Sequence, residues 1–340
     1  MEPDPTKVCN QDAPSSVAGL RKVDATGFIR LNALRLKVAA KVQKKKMTNS
    51  GAREIPPVLP THRPSGQWVR CLHAIAFVGV WMTLGWLLHL DANSYLLIGI
   101  PLVIAFQIFV RKKPIVALWV RDAECFKLKV TGIIIGLCLA ALPAVNLVQT
   151  VLSRHGSTQL PEILWLACCI AGAFCAAFSL GHFTRQTGKA LLFCLATAGV
   201  IGCAIMSAGF LARVLMHKQA LVIPAAQLTT GFKSLLLYFP VCFILEEVAF
   251  RGAIDSHVHQ PGDRLPWLSA AFISALWGLW HLPMVPFQGI AQLIVLVMAL
   301  PCIHVATGIF LSMAWRRSGN LAVTAGTHAL IDAVRNALLS

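Results

Sequence analysis

The sequence predicts an all-α fold: a polytopic membrane helix bundle with about eight or nine transmembrane helices. Three observations carry that expectation. The 340 residues are 56% hydrophobic and only 13% charged, whereas a soluble domain carries about 25% charged residues. Apolar runs recur from residue 71 onward, most of them close to the roughly 20 residues that a helix needs to cross a bilayer. The mean hydropathy is +0.68, and the basic residues behind a formal net charge of +16 gather at the ends of the apolar runs. That placement is the positive-inside pattern. The charge therefore implies contact with anionic lipid, and without a base-reading motif it does not imply nucleic acid.

Residues 1–66 read as a polar, basic cytoplasmic extension and linker. Within it, 27–46 can be drawn as an amphipathic helix with Phe28, Leu31, Leu34, Val38 and Val42 on one stripe. Lys41, Lys44, Lys45 and Lys46 would then meet anionic headgroups. Leu34 to Val38 also alternates with period two, so a solvated tail fits as well. Residues 54–64 read as an extended linker. The N-terminus lacks the short charged region followed at once by an apolar core that marks a cleavable signal, so the first span is expected to direct insertion.

A scaffold of apolar spans follows over 67–231, near 71–90, 95–110, 130–152, 163–181 and 190–212. The second is short enough to suggest a tilted or interfacial piece. With the N-terminus inside, the basic groups at 111–129, 185–189 and 316–317 fall on the cytoplasmic side; Arg213, Lys218 and Lys233 fit less well. Asn146 is a lone polar residue, expected to bond a neighbouring helix. The eleven cysteines form no CxxC pair and read as small buried side chains, not as a disulfide framework or thiolate metal site. Cys71, at the edge of the first span, is a weak candidate for acylation.

From residue 232 the character changes. The stretch 241–253, VCFILEEVAFRGA, places Glu246, Glu247 and Arg251 at the end of an apolar run. A charge at the centre of a span costs roughly 2.5–3.5 kcal/mol, so three in six residues are expected to face protein or water. Glu247 and Arg251 are spaced i, i+4 and can pair. Glu246 points about 140° away from Arg251, at roughly 100° per residue, which leaves it free for a reaction centre. The bland alternative is a structural salt bridge near a helix end. The helix is expected to continue to about His257 and close at Pro261 and Gly262, leaving His257 and His259 solvated.

The next helix, from about Trp267 to Leu282 before Pro283 and Pro286, carries Trp277 and His281 on one face. A segment over 290–315 is expected to kink at Pro301, with His304 as a core histidine bonded to a carbonyl. The last helix, from about Leu321, carries His328 and Asp332 at i, i+4. Together these helices can bring two imidazoles and carboxylates into one intramembrane pocket, an inventory suited to hydrolysis with an activated water. Such a pocket requires Glu246 and His281 to lie at similar depth, although each falls near an opposite end of its own helix.

At these residues the chain resembles the CPBP (Abi) family of intramembrane proteases, which includes the CAAX prenyl endopeptidases of the Rce type. The family's EExxxR motif is matched by Glu246, Glu247 and Arg251. Its FxxxH motif is matched at His281, with Trp277 in place of Phe. Its third motif, His followed four residues later by Asn or a related residue, is matched by His328 and Asp332. The resemblance covers about 235–336 and leaves the first five spans untouched. It implies a glutamate-dependent endopeptidase in the 232–340 bundle, in which Glu246 with His281 activates water and His328 with its partner stabilises the oxyanion.

An ionised Asp332 would repel an oxyanion, so it is expected to be protonated or to orient His328. No cofactor is expected; a zinc-dependent variant using the Glu-His-His-Asp set is the alternative. Competing functions are a non-catalytic immunity or scaffold protein with the same fold, and a proton-coupled transporter, which the lack of an inverted repeat disfavours. Expected partners are a membrane-tethered protein or peptide substrate and, through the basic extension, anionic lipids. The expected location is a membrane, multi-pass, the inner membrane if the cell is bacterial.

Overall fold

The structure, a computed structural model, describes residues 66–153, 160–218, 225–263 and 265–339. The amphipathic stretch 27–46 lies outside them. The described residues fall within one compact unit, Ser65–Ser340, and contain ten helices and no strand.

The first is α1, Gln67–Leu87. Next comes α2, Ala92–Ala105, which runs on through a π turn, Phe106–Arg111. It starts at Asp91, whose carboxylate accepts from the N–H groups of Asn93 and Ser94, an N-cap of the usual kind. The Ser94 hydroxyl, 2.7 Å away, holds that carboxyl below its ordinary range. A 3-10 turn, Ile115–Leu118, leads to α3, Val130–Leu152, and α4, Leu160–Gly181. The rod α5 spans Arg185–Met216 with a π turn at Leu195–Gly199. The C-terminal part is built from α6, Ala225–Cys242; α7, π-helical over Val248–Asp255 and continued by Ser256–Val258; α8, Pro266–Trp280; α9, Gly289–Ser318; and α10, Ala322–Leu339. The long α9 stops where Gly319 adopts φ 61° and donates its N–H to Trp315, a glycine stop made cheap by the missing Cβ.

Six helices, α1 to α5 and α9, are long and apolar enough to cross a membrane. The second of them reaches 20 residues because the π turn extends it, so it is not the short piece its sequence suggested. The other three major helices, α6, α8 and α10, have only 18, 15 and 18 residues. The apolar α8 falls short by length alone, whereas α10 carries Thr324, Thr327, His328 and Asp332 on its buried face. Side-chain size sorts the faces of α3. Gly132, Gly136, Ala140 and Pro143 are buried, while Ile133, Ile134, Leu137 and Val148 are exposed. Small residues let backbones approach, and α3 packs along α4; α6 packs along α10, and α8 along α9.

One buried clamp fixes the ends of three helices. Asp255, at the end of the π-helix, accepts from Arg316 Nε at 3.0 and 3.2 Å and from its Nη2 at 2.6 Å. Arg316 also donates to Ser269 Oγ at 3.1 Å and to the Pro266 carbonyl. The last turn of α9 is thereby tied to the end of α7 and the start of α8. Nearby, Arg121 donates to the carbonyls of Trp315 and Arg316, and burial lowers its guanidinium from the ordinary value.

The expectation that His257 and His259 are solvated is corrected here. His257 is buried, stacks on His73 of α1 and lies 3.2 Å from its ring nitrogen. His259 sits 3.5 Å from Asp263. The chain turns back at Gly262, φ 93°, and α1 covers the turn through Arg70, which donates to the Val258 carbonyl.

Replacing Asp255 with Ala leaves the Arg316 guanidinium buried without its carboxylate. Loss of one partner of a buried pair costs about 3–5 kcal/mol. Asp255→Ala should therefore lower the unfolding temperature of the protein in detergent by several degrees. An unchanged transition would show that the clamp contributes nothing to stability.

Candidate active site

The sequence suggested one helix that carries the apolar run before Glu246 on through Arg251 to about His257. The structure breaks it. Pro240 lies in the last turn of α6 and lacks the N–H for the helical ladder. After Cys242 the chain turns through residues 243–245, and helix resumes at Glu246. Glu246 and Glu247 thus open α7, where free backbone N–H groups and the helix dipole favour negative charge. The following π turns, a form frequent at functional sites, still leave Glu247 and Arg251 within reach, with Arg251 Nε 3.7 Å from Glu247 Oε2. Both side chains are buried, at 0% and 1% exposure.

The break also resolves the depth requirement. α7 and α8 are the arms of a hairpin that turns at Gly262, and Glu246 and Trp277 lie almost equally far from that turn. Trp277 Nε1 donates to Glu246 Oε2 at 3.0 Å. Glu246 is therefore not free of partners, contrary to what its helix angle suggested; Trp277 supplies a donor that the Phe of an FxxxH motif lacks. His281 caps the end of α8 and donates from Nδ1 to the Trp277 carbonyl at 2.9 Å. A carbonyl only accepts, so Nδ1 bears the proton and the neutral ring keeps Nε2 as an acceptor. That nitrogen lies 3.8 Å from Glu246 Oε2, and both side chains are about one-fifth exposed.

The third contributor is α10. His328 Nδ1 donates to Glu247 Oε1 at 3.1 Å. Its Nε2 faces Asp332 Oδ2 at 3.6 Å and Glu246 Oε2 at 3.9 Å. Glu247 therefore serves two helices, holding Arg251 on one side and His328 on the other. Asp332 has a nearer partner than His328: Arg335 Nη1, 3.0 Å from Oδ1. The pairing with Arg335 gives Asp332 a counter-charge.

Trp277 is the centre of this arrangement. The Arg251 guanidinium carbon lies 4.9 Å from its ring, a cation–π distance. The rings of His328 and His304 meet it edge-on at 5.1 and 4.6 Å. Gly308 of α9 makes room on the far side: a Cβ there would strike the Ser274 side chain and come within 3.3 Å of Arg251 Nη2.

All six motif residues come together. Two members of the site were not singled out in the sequence as such. Arg335 was readable as the i, i+3 neighbour of Asp332. His304 has no ionisable residue one turn away, and only the packing of α9 on α8 brings it to His281. Its bond to a carbonyl, Leu300 at 2.7 Å, is as the sequence suggested; its place in the pocket is not. Among the described residues no group of three or more His, Cys, Asp and Glu is spaced to hold a metal ion.

Arg251→Ala should destabilise the protein more than Glu246→Gln does. The first strands a buried Glu247, at about 3–5 kcal/mol. The second replaces a partly exposed carboxylate with an amide that still accepts from Trp277. Equal unfolding temperatures in detergent would contradict this division.

The comparisons agree with the motifs. Residues 229–334 match the family model described as type II CAAX prenyl endopeptidase Rce1-like. No curated protein and no solved structure matches the chain. With six helices suited to spanning a bilayer, the chain is a multi-pass membrane protein, and its residues 229–334, which include all six motif residues, are similar to the Rce1-like family.

Proposed function

We propose that the chain is an intramembrane endopeptidase that hydrolyses a peptide bond in a membrane-associated protein or peptide, with Glu246 activating the water. The carrying observation is the Glu246–His281 pair. Their facing atoms lie 3.8 Å apart, too far for a direct hydrogen bond but close enough for one water to reach both. The similarity of residues 229–334 to the type II CAAX prenyl endopeptidase family supports a prenylated C-terminal tail as substrate.

Each group then has a task. Glu246 takes a proton from the water as the oxygen attacks the scissile carbonyl, with His281 Nε2 accepting the water's other hydrogen bond. His328 has acceptors near both ring nitrogens, so it carries both protons and offers Nε2–H to the developing oxyanion. Donors of this kind contribute roughly 3–4 kcal/mol. Glu246 returns its proton to the departing amine as the tetrahedral intermediate collapses. Glu247 and Arg251 hold the frame, and Asp332 with Arg335 orients His328. No metal ion is needed in this scheme. The basic extension lies on the cytoplasmic side, against anionic lipid.

An internally quenched, farnesylated CAAX peptide tests the reading. Wild type should cleave it and Glu246→Gln should not, at equal abundance in the membrane. Cleavage by the variant above a few per cent of wild type would remove Glu246 from the chemistry.

Asp332 separates the metal-free scheme from a zinc enzyme. Asn at 332 still accepts from Arg335 through its oxygen, and its amide N–H can itself donate to the oxyanion, so Asp332→Asn should be tolerated with activity retained, and chelators should leave wild type unaffected. An inactive variant, together with chelator-sensitive wild-type activity restored by zinc, would establish a metalloprotease.

A further inference from the structure

The three motifs leave one polar side chain of the pocket without a task. His304 lies in the middle of α9, one turn after Pro301. A polar side chain at membrane depth is costly to keep, and three contacts define this one. Its Nδ1 donates to the Leu300 carbonyl at 2.7 Å, one turn back on its own helix. Its ring lies against that of His281, with centroids 4.3 Å apart and planes 35° from parallel. Its edge meets Trp277 at 4.6 Å.

Each ring is tied by Nδ1 to the carbonyl one turn back, His281 to Trp277 at 2.9 Å. His281 caps α8, where the chain passes into the 3-10 turn Leu282–Met284. His304 is built into a 30-residue helix. That helix is pressed against α8: a Cβ at Gly278, three residues before His281, would come within 2.5 Å of the Leu300 carbonyl oxygen and 2.7 Å of Pro301 Cα. Leu300 thus bonds His304 and abuts the last turn of α8 at once. The tilted imidazole forms a wall beside His281, and the hydrogen bond to Leu300 fixes the rotation of that wall.

We propose that His304 is a positioning residue for His281: its ring holds the His281 imidazole with Nε2 toward Glu246. The catalytic consequence rests on the endopeptidase reading above; the positioning itself does not. His304 acts through the contact of its ring, which lies 4.3 Å from that of His281 with the planes tilted by 35°.

Two readouts on the full-length protein in detergent test this. The first is deuterium exchange at C2 of the His281 ring, followed by mass spectrometry, which needs no substrate. His304→Ala should speed that exchange several-fold and His304→Phe should restore it. Unchanged His281 exchange in His304→Ala overturns the proposal whatever the protein cleaves. The second is turnover of the farnesylated quenched peptide. His304→Ala should lower kcat by on the order of 100-fold, the scale of a misplacement of about 1 Å, with KM within threefold. His304→Phe should recover most of kcat, and His281→Ala with His304→Ala should be no slower than His281→Ala alone. An inactive His304→Phe with wild-type His281 exchange would show that the nitrogen, not the ring, matters, and would also overturn the proposal. If wild type fails to cleave the peptide, the endopeptidase reading falls, while His281 exchange still decides the positioning.

Discussion

A guanidinium with no exposure and a carboxylate with 1% exposure lie 3.7 Å apart in the middle of this molecule, and the rest of the site depends on that pair. Burying either ion alone is costly, and their attraction repays the cost only when the surroundings are arranged around them. Three neighbours surround the pair. Trp277 lies over the guanidinium, Gly308 leaves space beside it, and His328 takes the second oxygen of Glu247. One ion pair in α7 therefore draws in α8, α9 and α10. The catalytic candidate, Glu246, is the next residue along and inherits a fixed position.

This explains why two adjacent carboxylates differ. Glu247 is enclosed, and its oxygens face an arginine and a histidine. Glu246 stays about one-fifth exposed, with an indole donor on one side and a bare imidazole nitrogen near by. The break after Cys242 puts both at the start of a helix, where anions are favoured, and the hairpin about Gly262 sets the depth at which α8 meets them. The clamp between Asp255 and Arg316 ties α7, α8 and α9 together away from the reaction centre, so the site is braced from outside.

Much of this was legible in the sequence. Apolar runs located the six longest spans, because hydropathy over about 20 residues is a strong signal. The i, i+4 spacings located the Glu247–Arg251 pair and placed His328 beside Asp332, since short-range helix geometry survives a π turn. What could not be read depends on contacts across helices. Nothing near Asp255 in the chain announces Arg316, 61 residues later, or marks His304 as the neighbour of His281. The continuous helix expected through Glu246 failed for a local reason: an apolar run with a single Pro240 has the periodicity of a helix whether or not it breaks. His257 looked solvated because no local pattern shows that α1 folds over it.

The most direct measurement is a double-mutant cycle on the buried pair. Unfolding of Glu247→Gln, Arg251→Met and the double variant would be compared in detergent. If the pair organises the site, each single change strands a buried charge, and the double variant is destabilised by less than the two together, with a coupling of about 1–3 kcal/mol. Additive losses would show that the two ions are held independently, and the site would need a different organising contact.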